Sequence, residues 1–383
     1  METIKVDISV VMPCLNEAET IGMCVERAVD ALQTSGCMGE VVVVDNGSID
    51  GSPEIATANG ARVVQQPVRG YGSAYLKGLA EARGHYIVIG DSDNTYDFGE
   101  IGRFLAPLYQ GYDLVMGSRF QGKILPGAMP WSHQYIGNPI LTGILNLLFR
   151  AKVSDAHCGM RALTKSAFER MHLRTLGMEF ASEMVIRAAQ EHMKIAEVPI
   201  TYYPRSGRSK LRSIPDGWRH LRFMLLYSPT YVLLAPGLFL WALGVLIVLL
   251  LLPGPFPVAG HAYDIHFMIL GASSALLGFQ MVNLGVYART YAVTEHFDRE
   301  DAFLSWFWRH FSFEKGLLAG AIIFLLGFAI DMYVLLEWIE RGFGPLSEVR
   351  TALAGMVLLI MGAQTVFASF FLSMLGLRRL DQG

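Results

Sequence analysis

Two carboxylates one residue apart, Asp91 and Asp93, follow the apolar run HYIVIG. They are the residues of this chain that are best placed to bind a metal ion. Carboxylate oxygens at this spacing can meet one hard cation, and Mg²⁺ or Mn²⁺ held in this way can also bridge diphosphate oxygens. Such an ion neutralises charge that develops on a leaving nucleoside diphosphate. A turn or a helix cap is the alternative interpretation, and the position directly after an apolar run favours the metal.

Two further carboxylates, Glu17 and Asp45, follow other apolar runs. Asp45 ends the run VVVVD, where a carboxylate can accept hydrogen bonds from a base or a ribose. Turn formation is the alternative there, because the segment DNGSIDG is rich in turn-forming residues. Glu17 lies near a predicted helix start, where the helix dipole favours a carboxylate even without a ligand.

The elements that position these residues alternate between strand and helix over roughly the first third of the chain. Apolar runs predict strands at 8–13, 41–45, 61–66, 85–91 and 113–119. Asn16 followed by Glu19 has the capping-box pattern and predicts a helix that ends at Gln33. This alternation indicates an α/β fold with a mostly parallel, Rossmann-like sheet, which binds ligands at the carboxyl ends of its strands.

The second half of the chain is dominated by four apolar runs, at 229–252, 266–288, 316–339 and 351–376. Each has the ~20 residues that a transmembrane helix needs. Basic residues are frequent between the second and third runs and absent between the first and second, which predicts cytosolic termini. We expect no secretory leader, because the opening segment METIKVDISVVMP lacks a long apolar stretch. We therefore expect a multi-pass protein of the cytoplasmic or an ER-type membrane, with its catalytic domain on the cytosolic face.

These patterns predict three regions: a catalytic domain at 1–212, an amphipathic helix at 213–228 and a four-helix transmembrane domain at 229–383. The helix combines Trp218 with Arg219, and it directly precedes a span, so we expect it to lie in the membrane interface. An ordinary surface helix is the alternative.

Several segments resemble family 2 of the inverting GT-A glycosyltransferases. They are PCLNE (13–17), VVVVDNGSIDGS (41–52), RGYGSAYLKGLAEARG (69–84), DSD (91–93) and GSR (117–119). Two more, VSDAHCGMRALTKSAF (153–168) and EVPITYYPRSGRSKL (197–211), resemble the polyprenyl- and dolichol-phosphate sugar synthases, typified by the dolichol-phosphate mannose synthases. The resemblance covers about residues 5 to 215 and implies a GT-A domain.

The resemblance also implies roles for individual residues. The nucleotide is held by the positions that match Pro13, Leu15, Glu17, Val43 and Asp45. By the same resemblance, we expect Asp91 and Asp93 to bind the metal and Ser92 between them to contribute to binding of the donor. Phosphates of the donor or the acceptor are contacted by Arg119, Arg205 and Lys210.

Asp93, Arg119 and Asp155 are the predicted catalytic residues. Asp155 lies in the segment where related enzymes with sugar-alcohol acceptors carry a base, so we expect it to face the active site and position an arginine or the sugar. The alternative is a buried carboxylate paired with Arg161. The basic side chains have an alternative too, because those near residue 210 could extend toward anionic headgroups.

The implied reaction moves a hexose from a UDP- or GDP-sugar to a polyprenyl or dolichyl phosphate with inversion. The second pKa of such a phosphate is about 6. The acceptor is therefore already anionic and needs positioning and charge neutralisation rather than a strong base. The family's usual Gln-His-Pro after the acidic pair is replaced here by the segment 94–97, so the third metal ligand stays open.

Two other functions are compatible with this architecture. A processive membrane polysaccharide synthase also joins such a domain to spans, but its Gln-x-x-Arg-Trp segment is missing here. A non-catalytic membrane adaptor would not need the acidic pair. The net charge of −3 argues against a nucleic-acid partner. Assembly into homo-oligomers is left open.

Overall fold

The computed structural model describes residues 6–206, 213–258, 261–294, 302–344 and 347–380. The chain divides into two compact units, Met1–Met224 and Leu225–Gly383. The first unit contains a large β-sheet with helices packed on it, and the second contains long apolar helices. The domain and interfacial-helix boundaries expected from the sequence stay predictions.

Seven strands form the sheet of the first unit, in the order β3-β2-β1-β4-β6-β5-β7. They are β1 (Ile8–Cys14), β2 (Gly39–Asp45), β3 (Arg62–Gln65), β4 (Tyr86–Ile89), β5 (Leu114–Ile124), β6 (Arg161–Thr164) and β7 (Ile195–Tyr202). Neighbouring strands pair in parallel except β6, which is antiparallel to both β4 and β5. The predicted mostly parallel α/β sheet is confirmed.

Helices connect and cover these strands. They are α1 (Ile21–Thr34), α2 (Ser52–Ala58), α3 (Tyr71–Glu81), α4 (Ile101–Tyr109), α5 (Asn138–Phe149), α6 (Lys165–Met171) and α7 (Phe180–Gln190). One more helix, α8 (Ser213–Leu226), follows the last strand. The predicted capping box is wrong. Helix α1 begins at Ile21 after Thr20 without a side-chain cap, and Asn16 takes a left-handed conformation with φ 51. Its Oδ1 instead accepts a hydrogen bond from the backbone N of Ile49.

Helix α3 packs unusually close to the sheet because Gly78 faces it. A Cβ at Gly78 would lie 2.3 Å from Cγ1 of Val11 and 2.8 Å from Cγ2 of Val44. A larger side chain would push the helix away from β1 and β2. This approach brings the N-terminal end of α3, with Tyr71 and Tyr75, close to the carboxyl end of β4.

The second unit contains α9 (Ala235–Leu251), α10 (Ile265–Thr294), α11 (Ala302–His310), α12 (Phe313–Glu340) and α13 (Val349–Leu380). Within the described residues, four helical segments are long and apolar enough to cross a membrane: Thr230–Leu251, Ile265–Thr294, Phe313–Glu340 and Val349–Gly376. They overlap the four predicted spans, so the predicted helical transmembrane domain is confirmed. Glycines let these helices approach closely, since a Cβ at Gly327 would lie 2.4 Å from the backbone N of Leu359.

Candidate active site

Three acidic segments meet at one edge of the sheet because their strands are parallel neighbours. β1 lies between β2 and β4, and Cys14 at its end is in register with Asp45. Glu17 follows β1, and Asp91 follows β4. The strand-end clusters predicted from the sequence are therefore brought together by the fold.

Asp91 is held by two tyrosines of α3. The hydroxyls of Tyr71 and Tyr75 both donate to its Oδ1, at 3.0 Å each. Burial and the neighbouring charge of Asp93 raise the pKa of Asp91 to about 6, although both tyrosine hydrogen bonds act in the opposite direction. The carboxylate is thus oriented and lies where negative charge is poorly solvated.

Asp93 and Glu17 share one arginine. Arg205 places Nη1 3.2 Å from Oδ2 of Asp93 and donates from Nη2 to Glu17 at 2.8 Å. Its buried Nε has no hydrogen-bond partner among the described residues. The other oxygen of Asp93 accepts from Thr95, from Oγ1 at 2.6 Å and from the backbone N at 3.1 Å. A basic side chain and both acidic segments thus form one cluster.

The acidic pair suits a divalent cation. Asp91 and Asp93 offer carboxylate oxygens as metal ligands, and hydrogen bonds from Tyr71 and Thr95 orient them. Together the two carboxylates carry more negative charge than Arg205 alone can balance. No group of three His, Cys, Asp or Glu side chains that could hold a metal occurs in the described part of the chain. Mg²⁺ commonly takes one or two carboxylates and completes its shell with water and substrate phosphates, so two carboxylates are enough.

Ser92 ties two segments together. Its hydroxyl donates to the carbonyl oxygen of Pro13 at 2.6 Å, and its own carbonyl accepts from Oγ1 of Thr20 at 2.6 Å. The acidic pair is therefore anchored to β1 and to the start of α1. Contact of Ser92 or Pro13 with a nucleotide stays a prediction.

The turn after β2 uses the carboxylate of Asp45. Its Oδ1 accepts from the backbone N of Ser48 at 3.0 Å, so turn formation, one of the two interpretations, is observed. Its binding of a nucleotide stays a prediction. Leu15 is half-buried, whereas Val43 is completely buried in the core and offers no exposed side-chain surface to a ligand. The assignment of Val43 rests on the resemblance alone.

Asn46 is a residue that sequence reasoning missed. Its Nδ2 donates to the carbonyls of Gln66 and Val68, each at 2.8 Å, and its Oδ1 accepts from the backbone N of Gly70 at 2.8 Å. Asn46 therefore fixes the loop between β3 and α3 against the end of β2. From the sequence, the segment DNGS predicts a turn and a ligand-binding role for Asp45. The hydrogen bonds of Asn46 to residues 66, 68 and 70 cannot be predicted from its neighbours in the sequence.

Arg119 and Asp155 form a buried ion pair with two parallel contacts. Nε of Arg119 donates to Oδ2 at 2.7 Å and Nη2 to Oδ1 at 2.8 Å. Burial alone would raise the pKa of Asp155, but the charge and hydrogen bonds of Arg119 lower it overall. The prediction that Asp155 positions an arginine agrees with this geometry. Pairing with Arg161 is wrong, since that guanidinium donates to backbone carbonyls at 156, 158 and 181.

Arg119 lies in an irregular stretch of β5. The β5–β7 register shifts between Ser118 and Lys123, a disruption of the kind that redirects side chains beside active sites. Its guanidinium carbon lies 5.2 Å from the ring centroid of Tyr202, close enough for a cation–π contact. Glu197 supports the pair from β7, because its Oε1 accepts from the backbone N of Ser154 at 2.7 Å. Sequence reasoning missed Glu197.

A histidine pair connects α8 to the rest of the first unit. The rings of His157 and His220 contact edge to face with centroids 4.7 Å apart, and Oγ of Ser182 lies 2.8 Å from Nδ1 of His220. Burial lowers the pKa of both histidines, that of His220 to about 4. The predicted phosphate ligand Lys210 lies outside the described residues, as do Arg208 and Arg212.

Comparison with known proteins decides the family. Residues 9–171 match glycosyl transferase family 2, and residues 286–376 match the glycosyltransferase family 2 C-terminal transmembrane region. The low-salt glycan biosynthesis hexosyltransferase Agl6 of Haloferax volcanii is 43% identical over 96% of this chain and 89% of its own length. The chain belongs to glycosyltransferase family 2. The predicted family and the GT-A fold are confirmed.

Two further similarities concern the first half of this glycosyltransferase. The dolichyl-phosphate hexose transferase of Haloferax volcanii is 37% identical over 55% of this chain and 89% of its own length. A glucosyl-3-phosphoglycerate synthase structure from Mycobacterium tuberculosis, in complex with Mg²⁺ and uridine-diphosphate, has 24% identity and a TM-score of 0.47, covering 57% of this chain and 78% of that chain. The match to the transmembrane region and the four candidate spans make this glycosyltransferase a membrane protein.

Proposed function

We propose that this glycosyltransferase transfers a hexose from a UDP- or GDP-sugar to a polyprenyl or dolichyl phosphate, with inversion at the anomeric carbon. One observation carries the proposal: Arg205 contacts Glu17 and Asp93 at once, so a basic group lies directly against the predicted metal and donor residues. The names of the two Haloferax relatives, a hexosyltransferase and a dolichyl-phosphate hexose transferase, support the hexose and the lipid acceptor.

In this proposal Asp91 and Asp93 hold Mg²⁺ or Mn²⁺, which when bound neutralises charge on the departing diphosphate. Tyr71 and Tyr75 orient Asp91, and Thr95 orients Asp93. Glu17, Asp45 and the surrounding loop bind the nucleotide. Each group is fixed before the substrate arrives, so little reorganisation is needed during the reaction.

Arg119 and Arg205 bind the anionic acceptor and reduce its repulsion from the donor diphosphate. Asp155 is a positioning residue rather than a base, because both of its oxygens accept from Arg119 and its pKa is lowered. A general base works best with a pKa near the operating pH. The lipid phosphate is already ionised near neutral pH and does not need one.

The membrane arrangement is part of the proposal. The first unit faces the cytosol, where nucleotide sugars are available, and the loops at 253–265 and 340–350 face the opposite side. Helix α8 carries Trp218 and Arg219 and lies in the membrane interface. These assignments follow from the distribution of basic residues in the sequence.

A donor panel tests the reaction. Full-length protein in nanodiscs is incubated with polyprenyl phosphate, Mn²⁺ and each of several radiolabelled UDP- and GDP-hexoses, and the lipid products are analysed by mass spectrometry and NMR. We expect one sugar per lipid, β-linked from an α-linked donor, and no product with unphosphorylated polyprenol. Sugar polymers would support the processive synthase, and product with the free alcohol would contradict the phosphate acceptor.

A matched pair of arginine variants tests the proposal that Arg205 binds the anionic acceptor. Arg205→Gln should lower transfer and raise the concentration of polyprenyl phosphate needed for half-maximal rate. Arg103→Gln removes an exposed arginine of α4 that pairs with Glu100, and it should leave transfer unchanged. Equal activity of both variants would remove Arg205 from the proposed site.

A further inference from the structure

Tyr202 lies where the two halves of the candidate active site meet. It is the last residue of β7 and is half-buried. Its carbonyl accepts a hydrogen bond from the backbone N of Leu125, directly after β5, at 3.0 Å. The next residue, Tyr203, donates from its backbone N to the carbonyl of Thr95 at 3.1 Å. The backbone at Tyr202 is therefore fixed between the strand that carries Arg119 and the segment that follows the acidic pair.

The ring of Tyr202 is held by contacts with both of these segments. The guanidinium carbon of Arg119 lies 5.2 Å from its centroid, and the ring of Tyr96 lies 5.4 Å away, centroid to centroid. Tyr96 is itself buried, and its hydroxyl accepts a hydrogen bond from the backbone N of Gly159 at 2.8 Å. Because its neighbours are fixed, the ring of Tyr202 has a defined position beside Arg119.

The hydroxyl of Tyr202 is left over for a ligand. It makes no hydrogen bond to any residue that the structure describes, whereas a tyrosine hydroxyl in a partly buried position usually has a partner. Burial raises the pKa of Tyr202, and the charged groups that act on it include Arg119, Asp93 and Asp91. The phenol therefore keeps its proton near neutral pH and can donate a hydrogen bond to an anion.

Arg119 also has a donor to spare, but it is a single nitrogen. Its Nε and Nη2 both donate to Asp155, and Nη1 has no hydrogen-bond partner in the described part of the chain. Arg205 is engaged by two carboxylates, those of Glu17 and Asp93. A phosphate monoester presents three strongly accepting oxygens, which is more than one nitrogen can satisfy. A second donor is therefore needed beside Nη1 of Arg119, and the side chain packed against this guanidinium is Tyr202.

We propose that the hydroxyl of Tyr202 donates a hydrogen bond to the phosphate of the lipid acceptor, beside Nη1 of Arg119. This inference rests on the proposed function and adds one acceptor-binding residue to it. Two donors on fixed side chains set the orientation of the phosphate, whereas one charge alone only attracts it. The ring of Tyr202 supports Arg119, and its hydroxyl contacts the acceptor, so the two parts of this side chain have separate tasks.

Equilibrium binding of a short prenyl phosphate tests this contact. Calorimetry measures the affinity of the full-length protein in nanodiscs for geranyl phosphate, with Mn²⁺ and either UDP or GDP present, and for geraniol, which lacks the phosphate. Tyr202→Phe removes the hydroxyl and keeps the ring, whereas Tyr202→Leu removes both. The matched control is Tyr112→Phe, because Tyr112 packs against the core directly before β5, at the edge of the sheet opposite the acidic cluster.

We expect Tyr202→Phe to bind geranyl phosphate about tenfold or more weakly, the loss typical of one hydrogen bond to a charged group. Its melting temperature, its Mn²⁺ affinity and its behaviour toward geraniol should not change, and Tyr112→Phe should match the original chain throughout.

Equal affinity of Tyr202→Phe and the original chain for geranyl phosphate overturns the contact and leaves the proposed function standing. A loss confined to Tyr202→Leu also overturns it, because the residue then acts only by supporting Arg119. Failure of the original chain to bind geranyl phosphate contradicts the lipid-phosphate acceptor, and with it the proposed function and this inference together.

Discussion

Asp155 accepts hydrogen bonds from Arg119 with both carboxylate oxygens, from Nε at 2.7 Å and from Nη2 at 2.8 Å. Neither side chain is appreciably exposed to solvent. The backbone N of Arg119 also donates to Asp155, so protein groups set the orientation of this arginine. An arginine held in advance binds an anion without first losing side-chain freedom.

Asp155→Asn should lower both stability and transfer. The substitution keeps the size of the side chain but leaves a buried guanidinium without a counter-charge, which costs about 3–5 kcal/mol. Thermal unfolding of the variant in detergent and its transfer rate measure the two effects. The double variant Arg119→Leu with Asp155→Leu should regain much of the stability but no transfer. A stable and fully active Asp155→Asn protein would contradict the positioning role.

Tyr71→Phe should weaken binding of the cation. The hydroxyl of Tyr71 orients Asp91 through Oδ1, and loss of such a supporting hydrogen bond typically lowers metal affinity about 10- to 100-fold. Titration of Mn²⁺ followed by EPR, with nucleotide present, measures the affinity. Tyr86→Phe is the control, because Tyr86 contacts aromatic rings away from the acidic pair. Unchanged Mn²⁺ affinity in Tyr71→Phe would remove the tyrosine from the metal site.

Asn46→Ala should reduce nucleotide affinity while leaving metal binding intact. The variant loses three hydrogen bonds that fix the loop at 66–70, and each such bond contributes about 1 kcal/mol. We expect calorimetry with UDP or GDP to show a loss of about tenfold or more in affinity. An affinity equal to that of the original protein would mean that this loop does not contact the nucleotide.

The alternation of strands and helices was enough to predict the strands β1 to β5 and the edge at which Asp45 and Asp91 meet, because both depend on local patterns and on parallel strand order. It did not predict β6 and β7, which follow this alternation in the chain. Contacts between distant segments were not predictable in this way. Tyr71 reaches Asp91 only because Gly78 lets α3 approach the sheet, and Glu197 reaches Ser154 only through the pairing of β5 with β7.

Local reasoning also failed where a polar side chain found a distant partner. Asn16 had the right spacing to Glu19 for a helix cap, yet it bonds the backbone of Ile49 and the helix begins later. The sequence also does not reveal that apolar side chains of α5 are exposed, because apolar residues at these positions resemble those of a buried helix. Only the structure shows the exposure of Ile140 and Leu147.

Mild acid should destabilise the first unit through its buried histidines. Burial lowers the pKa of His220 from 6.5 to about 4, and Glu179, Asp216 and Arg161 are the charged groups that act on it. The unfolded chain takes up a proton near pH 6.5 whereas the folded one does not, so stability is fully present above pH 6.5 and falls toward pH 4. For this group alone the loss is on the order of 3 kcal/mol.

Melting temperatures of the full-length protein measured across that pH range test the histidine prediction. His220→Gln, which keeps a polar group near Ser182, should have a flatter pH profile, whereas His266→Gln in the second unit should keep the steep one. Identical profiles for the His220→Gln variant and the original chain would show that this histidine does not titrate differently on folding.

The most direct test of the account is the metal-stimulated rate of sugar transfer in Asp93→Asn, compared with Asp30→Asn. Asp30 is an exposed carboxylate on α1 and serves as the control. We expect Asp93→Asn to keep its melting temperature and to lose about 100- to 1,000-fold in rate, as when an essential electrostatic group is removed. Asp30→Asn should stay active. Undiminished, Mn²⁺-stimulated transfer by the Asp93→Asn protein would contradict the account.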